Sequence, residues 1–139
     1  MKKNLHTIIA SLLFLVCLSF IACSDSDKAE ISQVMDSRDH AISNRNIPEY
    51  SALIASDYSD HGHKKVDILA QMISLFDKFE QAEMTSYDRH IRQLSDVQAQ
   101  CEQSYTLKVF ADNQWRKIVQ REQITLNKTS AGWKISSGL

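Results

Sequence analysis

Glycine and proline are nearly missing from this chain, at three and one among 139 residues. That scarcity excludes the sites that need glycines at fixed intervals so that the backbone can approach a ligand or turn sharply. No Gly-rich phosphate loop, Walker-like motif or nucleophile elbow is present. Cysteine is scarce as well, at three, and neither an HExxH pattern nor a Cys pair offers a metal-ligand framework. An excess of positive charge is also absent. Sixteen Lys and Arg face 17 Asp and Glu, which is not the clustered basic footprint of a nucleic-acid binder.

What is there begins at the N-terminus. Lys2 and Lys3 precede a mainly apolar run from Ile8 to Ala22, shorter than the roughly 20 residues a membrane-spanning helix needs. Polar residues start at once with Ser24 and Asp25. This is the layout of an export signal over residues 1–22. "FIAC", Phe20 to Cys23, resembles the lipobox of bacterial lipoproteins, with Phe20 where Leu is usual. The resemblance implies that Cys23 becomes the first mature residue and is acylated. Two or three acyl chains anchor a protein stably where one is marginal. The expected partner at this end is therefore a membrane. Ser24 stands where an Asp would resemble an inner-membrane retention signal, so in a two-membrane cell the expected location is the outer membrane, facing the periplasm.

Cleavage leaves 117 of the 139 residues, one domain's worth, and takes the 16 basic residues to 14 against 17 acidic, a net charge of −3. Cys17 leaves with the signal and Cys23 is lipidated. Cys101 then has no disulfide partner and is expected as a small buried apolar residue.

Residues 23–27 read as a lipidated tether and 28–139 as the domain. Asp27 with Glu30 resembles a capping box. Ile31, Val34, Met35, Arg38, Ala41 and Ile42 then recur at helical spacing over Lys28 to Ser43, with Arg38 at the edge of the apolar stripe. Asn46, Pro48 and Glu49 start a short second helix carrying Tyr50, Leu53 and Ile54. A third is predicted from Lys65 to Phe79, with Val66, Leu69, Met72, Ile73 and Phe76 buried. From Glu83 the period becomes two. A poorly alternating strand lies within Met84 to Leu94. A long one covers Asp96 to Ala111, with Val97, Ala99, Cys101, Gln103, Tyr105, Leu107 and Val109 on one face. Ile118, Gln120, Glu122, Ile124 and Leu126 share a face of the next, and Trp133, Ile135, Ser137 and Leu139 of the last. Helices segregated from a meander predict an α+β domain, three N-terminal helices packed on one face of an antiparallel sheet.

This order resembles the NTF2-like superfamily (a cystatin-like fold), which includes SnoaL-like and ketosteroid-isomerase-like proteins. The stretches that carry the resemblance are "IASDYSDHGHKKVDILAQMISLF" and "REQITLNKTSAGWKISSGL". It implies a curved sheet and helices enclosing a cone with a pocket at its wide end. It also implies that Tyr58 faces inward. Superfamily members use that pocket for isomerisation, dehydration, cyclisation or plain binding, so the fold alone does not choose a function.

The residues offer several candidate sites. Asp57, Tyr58, Asp60, His61 and His63 crowd one stretch. It reads as a solvated turn entering a helix, with pocket rim and metal site as the alternatives, and no third ligand supports a metal. Gln103, Tyr105, Gln120 and Glu122 interrupt apolar strand faces, so they bond one another, face a wet cavity or lie at an exposed end. Tyr58, Trp133 and these four are the candidate pocket-lining residues. Glu122 is the candidate catalytic base; the alternative is an exposed Glu122 or one paired with Arg121 or Lys128. Asp36 and His40, at i and i+4, are a candidate acid–base couple, against a solvated helix face. No cofactor or metal is expected. The two functions in view are a non-enzymatic envelope domain binding a small apolar or amphipathic ligand or a protein partner, and a pocket enzyme of the isomerase or dehydratase type. The outward sheet face is rich in Gln, Thr and Lys, which predicts a monomer or weak homodimer.

Overall fold

Residues 25–139 are described by a computed structural model of the chain. The expected export signal over residues 1–22 and Cys23 lie outside the described residues. Helix α1 is under way by residue 25 and runs to 43, so it starts earlier than Lys28. Asp27 is consequently a helical residue of the domain and not the end of a tether. It is only 5% exposed. Its carboxylate accepts hydrogen bonds from Lys128 Nζ at 2.6 Å, Trp133 Nε1 at 3.1 Å and Gln93 Nε2 at 3.2 Å. Ile31, Met35, Ala41 and Ile42 form the buried stripe of α1. Arg38 is buried with them at 6% exposure instead of sitting at the stripe's edge.

Helix α2 spans Ile47–Leu53. Asn46 Oδ1 caps it by accepting from the Glu49 N–H at 3.1 Å, and Pro48 occupies the first turn, where its missing N–H costs nothing. Asn46→Ala is expected to lower stability by about 1 kcal/mol, measured as a shift in the urea midpoint.

"SDYSDHGHKK" folds as a hairpin. β1 (Ser59–Asp60) pairs with β2 (His63–Lys64) through the turn His61–Gly62, whose φ angles are 46° and 86°. A turn with both central φ values positive favours glycine at its second position. Helix α3 (Lys65–Lys78) follows directly, with the Asp67 carboxylate accepting from the Lys64 N–H at 2.8 Å. Its buried face is turned from the one expected. Ile68 and Phe76 are buried and Leu69, Met72 and Leu75 pack beside them, while Val66 and Ile73 are 68% and 45% exposed. At ~100° per residue, Val66 and Ile73 point roughly 100–120° away from Met72. Apolar residues on both flanks had blurred which face the sheet would cover.

The four-stranded sheet runs β3 (Gln81–Ser95), β4 (Gln98–Ala111), β5 (Gln114–Thr129), β6 (Gly132–Ser137), each strand antiparallel to its neighbour in sequence. Asp112 and Asn113, with φ of 54° and 58°, make the two-residue turn between β4 and β5. Strand β3 is longer than its pattern suggested. A register shift between Tyr87 and His90, with Asp88 at φ 52°, moves the inward set from Ala82, Met84 and Ser86 to Ile91 and Gln93. Such irregularities bend and twist a strand, and this one explains the broken alternation. The inward face of β4 matches its period of two: Ala99, Cys101 and Gln103 are fully buried. Helices and strands share one core, which includes Tyr50, Ile124, Leu126, Trp133 and Ile135. The chain after α2 is stitched to β6 by the Ala55 N–H, which donates to the Ile135 carbonyl at 2.8 Å. The outward face is less polar than its Gln, Thr and Lys content implied, since Tyr87, Trp115 and Val119 are 42–54% exposed. Among the described residues no helix is long and apolar enough to cross a membrane.

Candidate functional site

The site grows from one charge on α1. Arg38 lies on the buried stripe of that helix, opposite the inward face of β5, and Glu122 lies on that face. Arg38 Nη1 donates to Glu122 Oε1 at 2.6 Å and Nη2 to Oε2 at 3.1 Å. The side chains are 7% and 11% exposed, so this is a largely desolvated, two-pronged ion pair. Burial works to lower the pKa of Arg38, and the Glu122 charge, Tyr50, the hydrogen bonds to Glu122 and the Asp39 charge together outweigh it, leaving the guanidinium raised. Among buried side-chain nitrogen and oxygen atoms of the described residues, only Arg38 Nε has no hydrogen-bond partner.

Behind the pair, Gln103 is fully buried and every polar atom of its amide is used. Its Nε2 donates to Glu122 Oε1 at 2.8 Å and to Ser86 Oγ at 3.0 Å. Its Oε1 accepts from Arg89 Nε at 2.8 Å. Ser86 in turn donates its hydroxyl to Asp39 Oδ1 at 2.9 Å and its N–H to Oδ2 at 2.6 Å. Burial pushes the Asp39 carboxyl up against these bonds. Arg89 ends the chain at the surface, pairing with Asp36 at 2.8 Å. A buried amide without partners would cost several kcal/mol, roughly 2–7; this network removes that penalty and fixes the carboxylate of Glu122 in one place.

In front of the pair lies a cavity of about 370 Å³. Ile42, Ile68, Met72, Leu75, Met84 and Leu107 supply its apolar wall. Tyr105, Gln120 and Glu122 line it as well. The Tyr105 hydroxyl donates to Gln120 Oε1 at 2.6 Å. Burial, then the nearby Glu122 charge, raises the pKa of Tyr105.

Three other candidates lie elsewhere. Gln103 stands behind Glu122, out of the cavity. Tyr58 is 2% exposed, and its hydroxyl donates to the Leu139 carbonyl at 3.1 Å and accepts from the Leu139 N–H at 2.9 Å. Trp133 is core, held to Asp27. Asp36 and His40 do not form a couple: Asp36 faces Arg89, and His40 Nδ1 lies 3.1 Å from Glu49 Oε1 on the exposed surface. Nor does Glu122 pair with Arg121 or Lys128. Arg121 faces Glu102 at 3.4 Å, and Lys128 reaches Asp27. His61 and His63 are exposed, and among the described residues no group of three or more His, Cys, Asp or Glu side chains is placed to hold a metal. Burial lifts the Cys101 thiol to about 11, which makes it a poor nucleophile.

The residues that sequence reasoning missed are Arg38, Ser86 and Arg89. Arg38 carried a usable signal. It was a single charge on an apolar helix stripe, and Glu122 a single opposite charge on an apolar strand face; two such charges in one domain invite pairing.

No protein-family model matches the sequence, and a search of curated proteins finds no match. Solved structures do match. A candidate dehydratase of the NTF2-like family from Streptomyces avermitilis superposes with a TM-score of 0.72 at 14% identity, over 82% of this chain and 94% of that one. A candidate scytalone dehydratase from Novosphingobium aromaticivorans gives 0.73 at 13% identity, over 85% of both chains. LinA gives 0.70 at 13% identity, over 84% and 86%. The chain is thus an α+β domain with helices on one face of a curved antiparallel sheet. More particularly, it has the NTF2-like fold.

Proposed function

We propose that this protein is a lipid-anchored domain of the cell envelope, acylated at Cys23, that binds a small apolar or amphipathic molecule in the cavity between α1, α3 and the sheet. The observation that carries the reading is the cavity itself. It is apolar-walled, and its volume of about 370 Å³ is at the small end of the range for ligand sites. Because α1 is under way by residue 25, an anchor at Cys23 would hold that end of the domain close to the bilayer. In a two-membrane cell the location that follows is the outer membrane, facing the periplasm.

A second reading, a pocket enzyme with Glu122 as base, has one observation in its favour: the Glu122 side chain reaches the cavity. Against it, both carboxylate oxygens already accept from Arg38, and one also from Gln103. A base so clamped has to break a buried ion pair before it can take a proton.

Metabolic labelling with a fatty acid is expected to mark the protein and to leave Cys23→Ala unmarked. An unlabelled wild-type protein would overturn the anchor. Native mass spectrometry of the protein extracted from membranes is expected to show a co-purifying amphiphile, and a panel of amphiphiles to raise the melting temperature. Turnover of any panel member, lost in Glu122→Gln, would favour the enzyme.

A further inference from the structure

The cavity holds a built-in statement about the charge of its occupant. Its buried polar element is the Arg38–Glu122 pair, which uses both Nη atoms of the guanidinium and leaves only Arg38 Nε without a partner. Each carboxylate oxygen accepts from one guanidinium nitrogen, and Gln103 takes a further position on Oε1. The positive charge of Arg38 is therefore spent on a neighbour in the same wall. At the mouth, Arg121 also lines the cavity, but its guanidinium faces Glu102. The other polar side chains of the wall are uncharged: the Tyr50 and Tyr105 hydroxyls, and the amides of Gln120 and Gln71. The Gln120 oxygen already accepts from Tyr105, so its amide N–H groups remain to be used. They are donors, and they call for an acceptor.

Building on the ligand-binding reading above, we infer that the cavity selects amphiphiles with an uncharged, acceptor-bearing head, such as a carboxylic ester or amide, over the corresponding carboxylates. A carboxylate head placed beside Glu122 would meet a like charge in a largely desolvated wall whose buried cation, Arg38, already gives both Nη atoms to that carboxylate and has only Nε left to offer. An ester or amide carbonyl takes the Gln120 donors without that cost. The apolar tail lies along Met72, Leu75, Met84 and Leu107. Selectivity thus comes from a charge the protein cancels for itself, and Glu122 is a specificity-determining residue by its presence alone.

The test is isothermal titration calorimetry of the protein with decanoic acid, methyl decanoate and decanamide near neutral pH, where the acid is ionised. The ester and amide are expected to bind at least about tenfold more tightly than the acid, a difference of about 1.4 kcal/mol. Glu122→Gln keeps the shape and removes the charge that cancels Arg38, so the order is expected to invert in favour of the acid. If that variant does not fold, Gln120→Leu, at an exposed and tolerant position, is expected to weaken the amide and ester about two- to tenfold and leave the acid unchanged. Wild-type protein that binds the acid as tightly as the ester would overturn the inference while sparing the ligand-binding reading. Binding of none of the three probes would remove that reading and this inference with it.

Discussion

Glu122→Ala is expected to destabilise the domain by about 3–5 kcal/mol, seen as a lower urea midpoint at unchanged slope. The loss has little to do with the attraction between the two charges. Removing the carboxylate leaves the Arg38 guanidinium buried at 7% side-chain exposure without an anion, and Gln103 Nε2 loses an acceptor. The cost is that of an uncompensated charge in a place water reaches poorly. The double change Arg38→Met with Glu122→Leu is expected to recover most of the stability, because two apolar side chains of similar volume do not have to be desolvated. A single variant that costs less than about 1 kcal/mol would mean that the pair is solvated in the way exposed salt bridges are. The comparison also separates stability from selectivity. The double variant restores the first and narrows the second, since a carboxylate then no longer meets the like charge of Glu122 and bears only the cost of its own desolvation.

That pair also marks how far the sequence could be read. Strand β4 was legible because its inward face is apolar at every second position from Ala99 to Val109 apart from Gln103 and Tyr105, and the structure buries Ala99, Cys101 and Val109. Strand β3 was only partly legible, because the register shift at Asp88 reverses which side chains point inward and cancels the alternation. Helix α3 was legible as a helix and right in setting Leu69, Met72 and Phe76 in or against the core, but its buried face is rotated towards Ile68 and Leu75 and away from Val66 and Ile73. With Val66 and Ile73 on one flank and Ile68 and Leu75 on the other, periodicity fixes a helix without fixing which side meets the sheet. The site was legible in one half. Glu122, Gln120 and Tyr105 were picked out as polar residues on apolar faces. Gln103 was picked out with them, and its bond to Glu122 is one of the pairings that pattern allowed. Arg38 lies 84 residues away from Glu122, and pairing across such a distance depends on the packed fold and on no local pattern. Tyr58 and Trp133 illustrate the same limit. Both are large, inward and buried, but whether an inward ring meets a cavity or the core depends on which neighbours fill the space.

Asp27→Asn is the second change expected to matter, at about 1.5–3 kcal/mol near neutral pH, and its effect is expected to depend on pH in a defined direction. The carboxyl is held below its ordinary value of 3.8, first by the hydrogen bond from Lys128, against the opposing effect of burial, and further by Trp133 and Gln93. A carboxyl whose folded pKa lies below its unfolded pKa stabilises the fold fully above the unfolded value and loses that contribution as the pH falls through the folded one. Asp39 works in the opposite sense. Burial holds it above 3.8 despite the bonds from Ser86, so its ionised form costs stability at neutral pH. As the pH falls from that raised value towards 3.8, the folded protein takes up this proton first and gains stability. The wild-type curve of unfolding free energy is therefore expected to be cushioned by Asp39 just above pH 3.8 and to fall below it as Asp27 is protonated. In Asp27→Asn the cushion remains and the fall is smaller, so the gap between the two proteins closes with acid. A gap that stayed constant from neutral pH into that range would mean that Asp27 holds α1 to β3, β5 and β6 by packing and neutral hydrogen bonds, with its charge contributing nothing.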